Sequence, residues 1–255
     1  MIKNLLFFGT LFLIPSYEAL AYVPPAQFII KSLVNKHAGF KGIRVKSKVT
    51  QWEGDKPGTF HFKTLTTFNQ QTGLMRSWAM NDQDVKLYFV ERRVEAPLAV
   101  DALLFVANPA RAESTLMDRG IPIGDDKDGA GAESLDRLKS VATWVLGSDQ
   151  TARLWIEKDT FLPLQMVFGS AKNQIQIGFD GFHFYHEFPY PHTIALGFPN
   201  GSFWLKDETV DVSVNLDLAK ADSISAHEAP GFTDAGKALL STQQELIQKY
   251  YEFIR

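Results

Sequence analysis

The chain has 255 residues and no cysteine, a length that suits one domain with small appendages and a composition that excludes disulfides. A formal net charge of −3 argues against nucleic acid as the main partner. Aromatic residues make up 13% of the chain, including 20 Phe, and they supply a large apolar interior.

The first 21 residues have the three parts of a secretory signal peptide. Lys3 gives a positive start, Leu5 to Ile14 is an apolar run too short to span a bilayer, and Ala19-Leu20-Ala21 is an A-x-A cleavage site. We therefore predict cleavage after Ala21 and export of the mature chain. A buried N-terminal helix is the alternative. Because a lipid-anchored lipoprotein needs a cysteine at the cleavage point, we expect the mature chain to be soluble and unanchored.

We predict a single domain over residues 22–232, followed by a helical extension over 233–255. The domain opens with a helix between Tyr22 and Gly39, started by two prolines. A strand over 44–52 and a turn over 53–58 follow.

The next strand is strongly patterned. One of its faces carries Phe60, Phe62, Thr64, Thr66 and Phe68, and polar residues occupy the other.

A strand over residues 74–80 comes after the turn at Gly73. Its alternation places Leu74, Arg76, Trp78 and Met80 on one face, which we predict to point inward. A further strand covers 85–89.

The middle of the chain breaks this pattern. Residues 97–107 predict a short apolar helix, and residues 108–133 predict an irregular loop rich in Asp and Gly. The loop lacks the ligand spacing of an EF-hand, so a solvated loop is the preferred interpretation.

The second half consists of short strands. We predict them over 141–146, 152–157, 161–168, 175–179, 182–188, 203–205 and 210–218. The stretch LWIEKDTFLPLQ, residues 154–165, predicts a hairpin that turns at Lys158 to Thr160. Pro163 cannot donate a ladder hydrogen bond, so it predicts an edge or a bulge.

A final helix is predicted from Asp234 to Arg255, capped by Thr233 or Asp234. One face of this helix carries Leu239, Leu246, Tyr250 and Ile254.

These elements predict an α+β fold, in which a large antiparallel sheet curls, closed or half-closed, around an internal space. The large aromatic, methionine and aliphatic side chains on one face of the sheet predict an apolar cavity inside it. The predicted cavity residues are Phe60, Phe62, Phe68, Trp78, Met80, Leu164, Met166, Phe168, Ile177 and Phe179, and Phe184 extends the set. A solid packed core is the alternative, and the residue types fit both.

The layout of residues 26–218 resembles the LolA/LolB-type lipoprotein-sorting proteins. The hairpin LWIEKDTFLPLQ is similar to a leucine-tryptophan-isoleucine-acid hairpin of that family, and Thr72 to Trp78 is similar to its glycine-x-x-arginine-tryptophan strand. The resemblance implies an incomplete barrel with helices over its open side, and a soluble carrier of lipoprotein acyl chains or lipids.

The resemblance also implies partners and a gating residue. An inner-membrane transporter would load the carrier, and an outer-membrane receptor would unload it. Arg76 matches an arginine that bonds to a lid segment in the family; a rim arginine that reaches to water is the alternative. The long loop over 108–133 and the helix after Asp234 depart from the family pattern.

Two other functions are weighed. The first is an envelope-stress sensor or regulatory module that binds a lipid or lipoprotein signal. The second is an enzyme, for which the cluster of His183, His186, Glu187 and His192 is the candidate metal site. Strand alternation separates His183 from His186, and no nucleophile elbow or nucleotide-binding motif occurs. We therefore predict a protein without enzyme activity, cofactor or metal.

Overall fold

The computed structural model describes residues 23–37, 40–54, 56–70, 72–93, 116–118, 120, 121, 123, 133–169, 174–197, 204–215 and 229–254. The helices are α1 Ala26–Lys36, α2 Asp234–Lys237 and α3 Ser241–Phe253. The strands are β1 Gly42–Glu53, β2 Lys56–Asn69, β3 Leu74–Met80, β4 Lys86–Arg93, β5 Glu133–Leu138, β6 Val141–Gly147, β7 Arg153–Glu157, β8 Pro163–Phe168, β9 Ile175–Tyr185, β10 Phe188–Gly197, β11 Trp204–Val214 and β12 Gly231–Phe232. The predicted signal peptide, the predicted helix over 97–107 and most of the predicted loop over 108–133 lie outside these residues.

The described strands form one open, fully antiparallel sheet. Its order is β12-β4-β3-β2-β1-β11-β10-β9-β8-β7-β6-β5. Strands β1 to β4 and strands β5 to β11 are two meanders, and the pairing of β1 with β11 joins them. The predicted antiparallel sheet is confirmed, and it is not closed.

Several sequence-predicted elements appear with nearly the expected bounds. Strand β3 covers the predicted residues, and the hairpin of β7 and β8 turns where LWIEKDTFLPLQ predicts it. Pro163 lies beside a register shift between Trp155 and Ile156, so the bulge predicted from this proline is confirmed.

Strand β5 was not predicted. Four of its residues, 134–137, are exposed, so it has no amphipathic pattern, and pairing with β6 holds it in place. Strand β11 is a single strand, although two were predicted over its length. The sequence suggested a break because Asp207, a buried charged residue, interrupts the apolar alternation.

The predicted C-terminal helix is two helices. The backbone of Leu240 is extended between them. The side-chain amide of Gln244 donates to the carbonyl oxygens of Gly236, Lys237 and Leu239, which satisfies the carbonyl groups freed at the end of α2. At the other end of α2, Thr233 accepts a hydrogen bond from the Gly236 amide, which confirms the predicted cap.

The sheet has a helical face, against which α1 and α3 pack, and an opposite outer face. Tyr251 of α3 lies 5.3 Å, ring to ring, from Tyr88 on β4, and Phe253 lies 6.1 Å from Phe168 on β8. Strands β4 and β8 are seven strand spacings apart in the sheet order, which is about 34 Å in a flat sheet. Two residues so close on one helix reach both strands only because the sheet curls around α3.

The core lies between the helical face and the helices. Its helix residues, each at most 8% exposed, are Ala26, Ile29, Ile30, Leu33 and Val34 of α1, Leu246, Ile247, Tyr250, Tyr251 and Phe253 of α3, and Ile254 just after it. The predicted apolar face of the last helix is confirmed for Leu246, Tyr250 and Ile254. None of the described helices has the length and apolar character of a membrane span.

Two turn glycines with positive φ differ in the space that a side chain would have. Gly147 ends β6 with φ of +96°, and a Cβ there would lie 2.0 Å from the carbonyl oxygen of Ala152. Gly73 also has positive φ, but a Cβ there would have nothing within 4 Å. We expect Gly73→Ala to lower the free energy of unfolding by about 1 kcal/mol from backbone strain alone. Gly147→Ala should lower it by about 3 kcal/mol or more, because the backbone must also shift.

Denaturant unfolding of the two variants and the unaltered chain measures this difference. Equal losses in the two variants would contradict the close approach of the β6–β7 turn.

Candidate ligand-binding interior

Most of the predicted cavity residues lie together on the helical face. They are Phe62, Phe68, Met166, Phe168, Ile177 and Phe179, all in the main core cluster, with Phe60 packed against it. The register explains their convergence, because Met166 pairs with Ile177 and Phe168 pairs with Ile175 across β8 and β9. The structure thus brings these residues into one apolar interior.

Trp78 and Met80 are on the outer face, so the prediction that they point inward is wrong. Trp78 pairs with Leu65, stacks on Phe89 at 4.4 Å between ring centroids and lies under the Lys86 ammonium at 4.3 Å. Met80 packs against this pair of rings.

Two of the inward residues of β3 are small, and the third, Met75, belongs to the main core cluster. Ser77 and Ala79 are fully buried opposite Thr66 and Thr64. The small side chains of Ser77 and Ala79 leave room for the rings of α3. The larger Trp78 and Met80 therefore lie on the outer face. Sequence alternation identified the two faces of β3 correctly but assigned the wrong one to the interior.

Two further members of the predicted set lie elsewhere. Leu164 is half-buried and lines a surface depression together with Gln165, Gln176 and Trp204. Phe184 is 64% exposed, so its predicted inward position is wrong.

Arg76 also lies on the outer face. Its Nε donates to Oε2 of Glu91 at 2.8 Å, across β3 and β4, and its backbone pairs with Thr67. The prediction of an inward-facing arginine is wrong. The pair is a cross-strand ion pair on the face opposite α1 and α3.

Two tyrosines of α3 hold the helix against the sheet. The Tyr250 hydroxyl donates to Oδ2 of Asp207 on β11 at 2.8 Å, and its ring meets Phe62 edge-on at 5.5 Å. The Tyr251 hydroxyl accepts from Ser77 on β3 at 3.1 Å. Asp207 is fully buried, so the bond from Tyr250 satisfies a polar group that water does not reach.

A row of buried hydroxyl groups crosses the helical face below α3; we call it the hydroxyl row. It comprises Ser77 of β3, Thr66 and Thr64 of β2, Ser47 of β1 and Thr209 of β11. Thr66 and Ser77 share a hydrogen bond of 2.7 Å, and Thr209 donates to the carbonyl oxygen of Pro191 at 2.8 Å. The hydroxyls of Ser47 and Thr64 have no hydrogen-bond partner among the described residues.

The sequence pattern gave part of this row. Thr64 and Thr66 alternate with phenylalanines and were placed on their face. Ser47, Ser77 and Thr209 sit in strands whose alternation carried no sign of their depth, and only the pairing of the strands aligns them.

A titratable side chain closes the end of α1. His37 is fully buried, its Nδ1 lies 3.0 Å from the carbonyl oxygen of Leu33, and its ring meets Phe188 edge-on at 5.7 Å. A carbonyl oxygen only accepts, so Nδ1 carries the proton. Burial lowers the pKa of His37 from 6.5 to about 4, because the charged ring would lose its hydration, and the bond to Leu33 opposes this only in part.

Charge at the edge of the interior comes from Arg92 on β4. This residue pairs with Met75, on the helical face. Burial lowers its pKa, and the nearby Tyr88, Tyr251 and Glu252 act in the opposite direction.

The histidine cluster of β9 and β10 does not assemble a metal site within the described part of the chain, where no group of three or more suitable ligands occurs. The rings of His183 and His192 are neighbours, 5.8 Å apart. His186 and Glu187 have positive φ in the turn between the strands.

The buried histidine predicts a pH dependence of stability. Since the pKa of His37 is depressed in the folded state, the unfolded chain takes up a proton first as the pH falls below 6.5. The contribution of neutral His37 to the free energy of unfolding is therefore complete above pH 6.5 and is lost as the pH falls towards 4. The difference between the unfolded and folded pKa values of His37 corresponds to a loss of about 3 kcal/mol in the free energy of unfolding.

Denaturant unfolding at several pH values checks this expectation against His37→Gln, whose amide donates to Leu33 without titrating. The variant should show a shallower loss of stability than the unaltered chain between pH 6.5 and pH 4. Parallel curves would show that His37 is hydrated in the folded state.

Comparison with known proteins finds similar structures but no similar sequences. No family model matches the sequence, and no curated protein sequence matches it. A LolA superfamily protein from Nitrosomonas europaea superimposes with a TM-score of 0.53 at 11% identity, over 77% of this chain and 96% of that one.

Two other solved structures are similar at lower scores. A domain named for outer membrane lipoprotein sorting, from Vibrio parahaemolyticus, has a TM-score of 0.46 at 12% identity, over 76% of this chain and 94% of that one. A DUF1329 family protein from Desulfovibrio piger has a TM-score of 0.44 at 11% identity, over 77% and 96%. The open antiparallel sheet curled around its helices is thus a LolA-like fold.

Proposed function

We propose that this protein is a non-enzymatic carrier of acyl chains, from lipids or lipoproteins, which it binds in the interior between the curled sheet and its helices. The observation that carries the proposal is the apolar interior itself, lined by Phe62, Phe68, Met166, Phe168 and Ile177 and formed by a sheet that wraps around α3. The LolA-like fold is consistent with this role.

The energetics favour such a site. Each buried CH₂ of an acyl chain gains about 0.8 kcal/mol, so a chain in water has a strong tendency to enter. A carrier must also release its cargo, and a helix that competes for the same space limits the affinity. We propose that α1 and α3 close the open side of the sheet when no ligand is bound, and that the ligand takes the place of α3.

The contacts of α3 suit a reversible element. Its segment joins the sheet through β12, α2 and Thr233, whose hydroxyl donates to the carbonyl oxygen of Lys86 on β4 at 2.7 Å. The contacts of the helix itself include two hydroxyl bonds, ring contacts and the burial of aliphatic side chains such as Leu246 and Ile247. Undocking α3 would therefore leave its attachment to the edge strand intact.

The setting is also proposed. The protein would be exported to the periplasm, accept its cargo from an inner-membrane transporter and deliver it to an outer-membrane receptor. Because the sequence has no nucleotide-binding motif, energy for loading would come from such a partner.

Competition between α3 and the ligand gives a testable consequence. Tyr250→Phe removes the bond to Asp207 and should weaken the docking of α3 by about 1.5 kcal/mol or more. If the closed state dominates, the apparent affinity for a fluorescent fatty acid should then rise about tenfold, because more of the protein is competent to bind. Titration of the fluorescent probe into both proteins measures this.

Phe89→Leu is the matched control. It weakens the outer-face stacking with Trp78 and should lower stability without changing affinity. An equal rise in affinity in both variants would mean that general loosening, not α3, governs entry. No binding by any of the three proteins, together with no lipid in mass spectra of the protein purified from its native envelope, would refute the carrier function.

A further inference from the structure

We propose that the paired hydroxyls of Ser47 and Thr64 are the polar end of the ligand site and donate hydrogen bonds to the carbonyl oxygen of an uncharged acyl ester or amide. This inference rests on the proposed carrier function and goes beyond it, because it names the chemical group next to the acyl chain. It assigns a recognition role to two residues that the predicted cavity did not include as ligands.

The two side chains are placed to act together. Ser47 on β1 and Thr64 on β2 are direct cross-strand partners on the helical face, which puts their Cβ atoms about 5 Å apart. They are 2% and 1% exposed. Two donors at this spacing can reach one carbonyl oxygen, which has two lone pairs.

Within the described part of the chain, the other members of the hydroxyl row all have hydrogen-bond partners, unlike Ser47 and Thr64. Thr66 bonds to Ser77, which in turn bonds to Tyr251, and Thr209 bonds to the carbonyl oxygen of Pro191. Only the central pair of the row, Ser47 and Thr64, has no partner among the described residues.

A buried hydroxyl without a hydrogen-bond partner destabilises the folded state, because it loses its bonds to water and gains none in exchange. Alanine and valine would fill the same space at no such penalty, as Val45 and Val49 do on either side of Ser47. A polar pair in this position therefore suits a state in which another molecule supplies the acceptor. The apolar residues Phe62 and Val49 lie next along the two strands, where an attached acyl chain would continue.

Charge favours an uncharged group over a free fatty acid. Asp207 precedes Thr209 by two residues on the same face of β11, and Thr209 pairs with Ser47. A carboxylate bound at Ser47 and Thr64 would lie near this buried acidic side chain and be repelled by it. An ester or amide carbonyl avoids that repulsion and still accepts both hydrogen bonds.

The experiment compares three ligands of matched length: methyl laurate, laurate and the corresponding alkane delivered from cyclodextrin. Each displaces a fluorescent fatty acid probe from the full-length mature protein. We expect the unaltered protein to bind the ester about tenfold more tightly than the alkane, and more tightly than laurate. The double variant Ser47→Ala, Thr64→Val should lose this preference for the ester while still binding the alkane.

Thermal unfolding without ligand gives a second readout. The double variant should be as stable as the unaltered chain or more stable, because it removes two unpartnered hydroxyls. The control Thr209→Val removes a partnered hydroxyl from the same row, so it should lower the melting temperature and keep the preference for the ester.

The outcomes separate the two proposals. A double variant that still prefers the ester, or an unaltered protein with no preference, would overturn the role of Ser47 and Thr64 and leave the carrier function standing. A clear drop in the melting temperature of the double variant would also overturn it, since it would mean that ordered water already satisfies the hydroxyls. Failure of every ligand to bind would refute both proposals.

Discussion

The packing of helix α3 inside the curled sheet is the contact on which the rest of the structure depends. Tyr251 reaches β4, Tyr250 reaches β2 and β11, and Phe253 reaches β8. One short helix thus contacts strands from both meanders of the open sheet. Without α3 or a substitute of similar shape, the helical face would expose phenylalanines and aliphatic side chains to water, which the hydrophobic effect strongly opposes.

The interior must balance two physical demands. Apolar side chains make it attractive to a hydrocarbon chain, and buried polar groups require partners. Tyr250 donates a hydrogen bond to Asp207 and Tyr251 accepts one from Ser77, so the helix that fills the space also satisfies part of its polar lining. Under the proposed function, a ligand that replaced α3 would have to offset these lost bonds, and its affinity would depend on the polar group that it carries.

Much of the fold was predictable because strand alternation is a local property. The phenylalanine face of β2, the hairpin of β7 and β8, and the apolar face of α3 all follow from the spacing of their side chains. Strand β5 was missed because its exposed residues show no alternation. Most of the apolar residues of the interior were predicted, as was the face of Thr64, but the depth of Ser47 and Thr209 was missed, since hydroxyls in strands have the same pattern whether they face water or a core.

The sequence by itself determined which residues of most strands share a face, where the β7–β8 hairpin turns and that an apolar interior would form. Only the tertiary structure decided which face of β3 is inside. Ser77 and Ala79 face α3 because the tyrosine rings of a helix distant in sequence need that space, and Trp78 and Arg76 consequently face outward. Likewise, Ser47, Thr64 and Thr209 become one row only when the register of three strands aligns them, and register is a property of the paired sheet that no single strand encodes.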